Sequence, residues 1–157
     1  MFIRRYFTNN LSDPAIAGAP FHEQTRAWQR FQWTMRSSKI ANPDGSVVFE
    51  APEVEVPEGW SQVAVDILAQ KYFRKAGVPA ITKPVGESGI PDWLQPHVAD
   101  EAAMDAAGIP EDKRVVGESS GKQVFHRLAG CWTYWGFKHG YFASEDDARA
   151  FSLCSAR

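Results

Sequence analysis

Two segments of the chain carry apolar residues at helical spacing, and each has residues that favour the start and the end of a helix. In the first segment, Trp60–Ala76, Ser61 can accept a hydrogen bond from the first turn, and Gly77 can end the helix in the left-handed conformation. We therefore predict a helix over 60–76. Its buried face is expected to hold the apolar residues spaced i, i+3, i+4 and i+8: Ala64, Ile67, Leu68 and Tyr72.

A second helix is predicted over residues 120–138, where apolar residues form a broad stripe. Gly130 and Gly136 each lower helix stability by about 1 kcal/mol relative to alanine, which favours close approach of another backbone at these positions. At helical spacing the stripe is typical of a core face. Its members are Val124, Phe125, Leu128, Cys131, Trp132 and Trp135.

A third, short helix is predicted after the second one. Gly140 can end the second helix, and Ser144 can cap the next one ahead of the acidic residues 145–147. The apolar pattern carries this helix through Phe151.

The signals for strands are weaker and are confined to one hairpin. A turn at Asn42–Gly45 separates residues 38–41 from 47–50, because proline presets one backbone angle and Gly45 accepts a positive φ. The proline-rich residues 78–116 are expected to form an irregular surface insertion, helical only over 100–107.

The fold class that these elements predict is mainly α with a small β-hairpin (α+β). Residues 1–36 are rich in aromatic side chains but lack a regular period, so they are expected to form an extended arm. Residues 37–151 are expected to form the domain, and residues 152–157 a tail outside it.

Composition is that of a soluble domain of ordinary size. Of the 157 residues 44% are apolar and 23% are charged, and the net charge of -2 argues against a surface that coats nucleic acid. No run approaches the roughly 20 apolar residues of a membrane span. The two cysteines suggest no disulfide framework, so we expect a cytoplasmic protein.

The residues that could carry chemistry fall in separate places. Cys131 lies inside a predicted helix, where a packed thiol is commoner than a reactive one. Glu53 and Glu55 share one side of a strand without a companion acid or base, and residues 117–122 lack the full pattern of a phosphate loop. The four histidines lie in different segments, which does not favour a metal site. We therefore predict no catalytic, cofactor-binding or metal-binding residue.

Four long motifs of the sequence follow one another in a fixed order: NPDGSVVFE (Asn42–Glu50), VEVPEGWSQVAVDILAQKYFRKAGVP (Val54–Pro79), QVFHRLAGCWTYWGFKHGYF (Gln123–Phe142) and EDDARAF (Glu145–Phe151). Together they resemble the N-terminal region of class II, adenosylcobalamin-dependent (vitamin B12-dependent) ribonucleotide reductases. The resemblance covers about residues 25–151 and is weakest over the proline-rich insertion.

The resemblance implies a helical N-terminal domain that precedes an α/β barrel. In the family, the barrel reduces ribonucleotides to 2′-deoxyribonucleotides for DNA synthesis through a thiyl radical generated with adenosylcobalamin. None of the family's catalytic residues has a counterpart in this chain, so the chain alone is expected to be inactive as a ribonucleoside-diphosphate reductase and to bind no cofactor. His126 stands where the family pattern suggests an acidic residue.

The expected role is to brace the barrel, in cis or in trans, through Trp132, Trp135 and the aromatic arm. A homodimer is a further expectation, and neither nucleic acid nor a membrane is expected as a partner. Two alternatives stay open: a free-standing interaction module that docks on a separately encoded reductase remainder, and a truncated remnant without activity.

Overall fold

The computed structural model describes residues 31–155, and side-chain surroundings over 31–152. Most of the predicted arm over 1–36 therefore lies outside the described residues. The described chain divides into two compact units. We call residues 31–83 with 98–124 the hairpin unit, and residues 84–97 with 125–155 the helical unit.

The hairpin unit is built on two long antiparallel strands. Strand β1 (Trp33–Ala41) pairs with β2 (Val47–Pro57), from Trp33 opposite Pro57 to Ala41 opposite Val47. The predicted turn is confirmed, since Gly45 has a φ of 85° and its N–H donates to the Asn42 carbonyl at 2.9 Å. The hairpin is longer than predicted because β2 continues through Pro52 to a stretch in which Val54 and Val56 are completely buried.

The first helix is shorter than the sequence predicted. Helix α1 (Gln62–Ile67) begins as expected, with Ser61 Oγ accepting from Ala64 N at 3.3 Å. A π-helical turn (Leu68–Tyr72) follows, and the chain becomes extended at Phe73. The predicted end at residue 76 is therefore wrong, although Gly77 does have a φ of 83°.

The π-turn also changes which residues are buried. Its i to i+5 hydrogen bond, from Phe73 N to Leu68 O at 3.1 Å, adds one residue to the turn. Phe73 is consequently buried and Tyr72 exposed, and Ile67 is also exposed. The predicted face thus holds for Leu68 but is wrong for Ile67 and Tyr72. The buried residues are Val65, Leu68, Ala69 and Phe73.

A polar network fastens α1 to β1. Ser38, which is completely buried, donates to Asp66 Oδ1 at 2.7 Å, and Gln62 Nε2 donates to the same oxygen at 2.9 Å. Arg36 donates to the Trp60 carbonyl at 2.9 Å. Because the buried hydroxyl has a charged acceptor, its desolvation is compensated.

The prediction that the proline-rich segment is irregular is wrong, because it holds the four remaining strands of the described residues. Strand β3 (Val78–Pro79) pairs antiparallel with β6 (Val115–Val116), and β4 (Thr82–Pro84) pairs with β5 (His97–Ala99). Short elements complete the segment: 3-10 turns at Asp92–Leu94 and Glu111–Lys113, and helix α2 (Glu101–Ala106), capped by Asp100.

The mainly α fold class is therefore wrong. About 40% of the described residues are helical and 25% lie in strands, with several antiparallel sheets, which makes the chain a small α+β fold. The prediction failed because two-residue and three-residue strands bounded by prolines are too short to show a period of two.

Helix α3 (Gly121–Lys138) begins with a capping box. Ser120 Oγ accepts from Lys122 N at 3.1 Å, while Gln123 Oε1 accepts from Ser120 N at 3.0 Å and from Ser119 N at 2.9 Å. These bonds satisfy donors that a helix leaves without partners in its first turn. The predicted start and end of this helix are confirmed, and Gly140 has a φ of 68°.

The start of α3 is held on β2 by Glu55. Glu55 N donates to Ser119 O at 2.8 Å, and its carboxylate accepts from Lys122 Nζ at 2.6 Å and from the Ser120 hydroxyl. Lys122 Nζ also lies 4.5 Å from the centre of the Trp33 ring. Partial burial acts to raise the pKa of Glu55, but the hydrogen bonds from Lys122 and Ser120 outweigh it and lower the pKa.

Gly117 marks the closest backbone approach in this region. A Cβ atom there would lie 2.9 Å from the Lys75 carbonyl oxygen and 3.2 Å from that of Arg74. Glu118 holds the two segments together, since its N–H donates to Arg74 O at 2.8 Å and its carboxylate accepts from Arg74 N at 2.9 Å. The absence of a side chain at residue 117 lets these bonds form.

In the helical unit, α3 buries small residues instead of its large ones. Ala129, Thr133 and Gly136 lie on one side and are buried. A Cβ atom at Gly136 would meet the Phe142 ring, whereas a Cβ atom at Gly130 would meet no atom of the described residues within 4 Å. Among the described residues, no other backbone therefore approaches these two glycines as predicted.

Helix α4 (Glu145–Ser155) completes the helical unit. Ser144 Oγ accepts from Asp147 N at 3.1 Å, which confirms the predicted cap. Ala148 and Ala150 are buried. Within the described residues, no helix is both long enough and apolar enough to cross a membrane.

Two glycine-to-alanine substitutions should change stability in opposite directions. Gly117→Ala places a methyl group against backbone oxygens that cannot move independently, so we expect a loss of about 1–3 kcal/mol in the free energy of unfolding. Gly130→Ala fills open space in a helix and should add about 0.5–1 kcal/mol. Denaturant unfolding of both variants checks this, and a Gly117→Ala protein as stable as wild type would show that the loop can move away.

The Glu55 contacts should make stability depend on pH. A carboxyl whose pKa is lowered on folding adds stability that is present above its unfolded pKa, near 4.5, and is lost as the pH falls through the folded value. Glu55→Gln should therefore reduce the free energy of unfolding at pH 7 and make little difference at pH 3. Urea unfolding of both proteins at the two pH values measures this. An equal difference at both would mean that the lost packing, and not the charge, accounts for the effect.

Candidate functional site

The most distinctive surface of the helical unit is the outer side of α3. Leu128, Cys131, Trp132 and Trp135 are spaced i, i+3, i+4 and i+7 and so lie on one side of the helix. We call these four residues the tryptophan face. Trp132 is 46% exposed and Trp135 54%, while Leu128 and Cys131 are half-buried.

The predicted core stripe is confirmed at Val124, which is buried, but is wrong for Trp132 and Trp135. The apolar period was recognised correctly, but α3 also has a side of small residues, and it is that side which is buried. A solvent-facing pair of tryptophans on a rigid helix is the composition of protein-binding surfaces, in which tryptophan and tyrosine are enriched. Tyr141, in the turn after α3, is 57% exposed.

Two polar clusters connect the elements of the helical unit, and the first of them holds α3. In the first, Glu87 accepts from the Tyr134 hydroxyl at 2.7 Å and from Lys138 Nζ at 2.7 Å, and Lys138 also donates to Tyr134 Oη at 2.9 Å. These hydrogen bonds lower the pKa of Glu87 and raise that of Lys138. Both groups therefore stay ionised near neutral pH, and their ion pair connects the loop that carries Glu87 to α3.

The loop that carries Glu87 is itself closed by one side chain. Gln95 Oε1 accepts from Glu87 N at 2.6 Å, and Gln95 Nε2 donates to the carbonyls of Glu87 at 2.9 Å and Ile90 at 2.7 Å. Ile90 and Leu94 of the same loop are buried. The buried side chains of this loop and the Gln95 hydrogen bonds thus fix the position of the Glu87 carboxylate next to α3.

The second cluster fastens α4. Trp93 Nε1 donates to Glu145 Oε1 at 2.7 Å, and Arg149 Nη2 donates to the same oxygen at 2.6 Å. The Arg149 guanidinium lies 4.5 Å from the centre of the Trp93 ring. The hydrogen bonds from Arg149 and Trp93 lower the pKa of Glu145. Sequence spacing could have revealed the Glu145–Arg149 pair, but the position of Trp93 depends on the tertiary fold.

The loop over 117–122 does not form a phosphate cradle. The N–H groups of Glu118, Ser119, Ser120 and Lys122 all donate to acceptors within the chain. The Glu55 carboxylate also binds the lysine and would repel an anion. The loop therefore serves to cap the N-terminal end of α3.

The remaining candidate residues stay apart. Glu53 is exposed, whereas Glu55 forms an ion pair with Lys122. Cys131 lies in the middle of α3, away from the positive end of the helix dipole that would favour a thiolate, and it is half-buried instead of packed in the core as predicted. Among residues 31–155, no three His, Cys, Asp or Glu side chains come together as a metal-binding group.

Comparison with known proteins places these features in a family. The family model for class II vitamin B12-dependent ribonucleotide reductase matches residues 34–153. A vitamin B12-dependent ribonucleotide reductase of Bradyrhizobium diazoefficiens is 58% identical over 117 residues, which are 74% of this chain and 9% of the relative. The enzyme of the same name from Agrobacterium fabrum is 54% identical over 114 residues, 73% of this chain and 9% of the relative.

A more distant relative shows the same coverage. The vitamin B12-dependent ribonucleotide reductase of Rhodopirellula baltica is 27% identical over 119 residues, which are 76% of this chain and 8% of that protein. The chain thus spans less than a tenth of the length of these relatives. It belongs to the class II vitamin B12-dependent ribonucleotide reductase family, whose N-terminal domain it represents.

Proposed function

We propose that this chain is a structural domain of an adenosylcobalamin-dependent ribonucleotide reductase, the enzyme that makes 2′-deoxyribonucleotides for DNA synthesis in the cytoplasm. The domain contributes no reacting group. Its role is to bind the catalytic barrel, in cis or in trans, and all radical chemistry takes place on residues of that barrel.

The tryptophan face is the observation that carries this proposal. Exposed Trp132 and Trp135 leave apolar area in water on a helix whose other side is already packed. Covering a large aromatic side chain is worth about 2–4 kcal/mol at the centre of an interface. The cluster of Glu87, Tyr134 and Lys138 holds the helix in place, so little conformational entropy is lost when a partner binds.

Cobalamin belongs to the proposed partner and not to this chain. The family is vitamin B12-dependent. We assign no residue of this chain to the cofactor. When bound by the barrel, adenosylcobalamin would supply the radical, and the residues described above would only support the surrounding protein.

The isolated chain should be inactive. Incubation with adenosylcobalamin, a dithiol and a ribonucleoside diphosphate should yield no 2′-deoxyribonucleotide, because no described cysteine is placed to carry a thiyl radical. Chromatographic analysis of the nucleotides measures the product, with the Bradyrhizobium enzyme as the positive control. Product formed by the purified chain would refute the structural role.

Docking through the tryptophan face can be tested in a chimera. The segment of the Bradyrhizobium reductase that is 58% identical to this chain can be replaced by the matching residues described here. In this chimera Trp135→Glu should lower the free energy of unfolding by about 2–4 kcal/mol and reduce reductase activity. In the isolated chain the same substitution should change stability by less than about 0.5 kcal/mol, because the residue is exposed.

A matched control is Val85→Glu, which changes an exposed apolar residue of the same unit outside the tryptophan face. It should leave both the chimera and the isolated chain unchanged. Equal destabilisation of the chimera and the isolated chain by Trp135→Glu would place the side chain in the domain's own core. A chimera indifferent to the substitution would show that the catalytic barrel does not cover this face.

A further inference from the structure

The tryptophan face carries two hydrogen-bond donors that the described part of the chain does not use. The indole N–H groups of Trp132 and Trp135 donate to no described residue, whereas that of Trp93 donates to Glu145 Oε1 at 2.7 Å. An indole nitrogen can donate a hydrogen bond but cannot accept one. A partner that covers this face therefore has to supply acceptors as well as apolar area.

The face is also electrically neutral. None of its four members is charged, and Lys138, the last residue of α3, is already paired with Glu87 at 2.7 Å. Tyr141 adds an exposed hydroxyl beyond the helix, where its ring lies 6.3 Å from that of His139. A charged group buried against these rings would lose its hydration without gaining a counter-charge. Charge complementarity therefore favours an uncharged partner.

The free donors argue against an apolar helix as the partner. The backbone carbonyls of a helix accept hydrogen bonds from the helix itself. A covering helix with apolar side chains would thus bury both indole N–H groups without acceptors, and each such loss weakens binding by at least about fivefold. A segment in the polyproline II conformation has no internal hydrogen bonds, so its carbonyls are free to accept. Grooves lined by aromatic residues bind proline-rich segments of this kind.

The length of the face fits one turn of such a segment. The seven residue steps from Leu128 to Trp135 span about 10 Å along the helix axis. In polyproline II, three residues make one turn and rise about 9 Å. Residues i and i+3 of the ligand therefore point to the same side and reach both ends of the tryptophan face.

We propose that the tryptophan face binds an extended, uncharged, proline-containing segment in the polyproline II conformation. In this arrangement proline rings pack on Trp132 and Trp135, and ligand carbonyls accept from the two indole N–H groups. The inference deepens the proposed function and rests on it, because the segment is expected to belong to the polypeptide that carries the catalytic barrel.

Nuclear magnetic resonance of the full chain, labelled with nitrogen-15 and titrated with an oligoproline peptide, tests the proposal. The indole N–H resonances of Trp132 and Trp135 should shift because each donor gains an acceptor, while that of Trp93 should stay in place. Trp135→Phe keeps an aromatic ring but removes the donor, so the dissociation constant should rise about fivefold, the effect of one hydrogen bond. Trp132→Phe should act in the same way, and the two variants also assign the resonances.

The ligand control is an uncharged peptide of alanine and leucine that forms a helix, which should shift neither resonance. The protein control is Tyr72→Phe, which removes a hydroxyl from an exposed aromatic residue of the hairpin unit and should leave the dissociation constant unchanged. Indole resonances that stay in place at millimolar oligoproline would overturn the proposal. Tighter binding of the helical peptide would overturn it as well.

The chimera described above separates a failure of this inference from a failure of the proposed function. A chimera destabilised by Trp135→Glu, combined with an isolated chain that binds no oligoproline, would keep the barrel as the partner and reject the extended segment. A chimera indifferent to Trp135→Glu, combined with an isolated chain that binds oligoproline through both indole groups, would support the extended ligand and reject the barrel as its source.

Discussion

The contact between Glu55 and the start of α3 is the interaction on which the rest of the hairpin unit depends. A single carboxylate binds the cap residue Ser120 and the first lysine of the helix, while the backbone of the same residue pairs with Ser119. The approach of Gly117 to the backbone at residues 74 and 75 fixes the preceding loop. Helix α3 therefore begins at a place set by β2 and by the turn that follows the π-helix.

This dependence explains which parts of the fold the sequence could predict. The starts of α1, α3 and α4 follow from local signals, because Ser61, Ser120 and Ser144 each cap a helix with hydrogen bonds inside its own first turn. The end of α1 could not be predicted, since no local period encodes the π-turn that buries Phe73 instead of Tyr72. The short strands depend on partners far away in the chain and were missed for the same reason.

The candidate site was predicted in part. The apolar period of α3 identified Trp132 and Trp135 as a group, but a period shows only that residues share a side of a helix, and not which side is buried. Ala129, Thr133 and Gly136 decide that question, because small residues allow close packing and leave the larger ones outside. The hydrogen bonds of Glu87 with Tyr134 and Lys138 require a loop that folds back on the helix. The spacing of residues along the chain does not reveal such a loop.

Both α1 and α3 have two apolar sides, one buried in the chain and one exposed. A helix that served only its own small domain would gain nothing from Trp135 or Val63 at exposed positions, since each leaves apolar area in water and favours association. The segment shared with the Bradyrhizobium and Agrobacterium enzymes is 9% of each of them, and the partner proposed above for the exposed side of α3 is the catalytic barrel. Because the basic residues Lys71 and Arg74 follow the exposed side of α1, that side differs in charge from the neutral tryptophan face, and the two surfaces suit partners of different chemistry. One partner is then expected to be apolar and the other acidic.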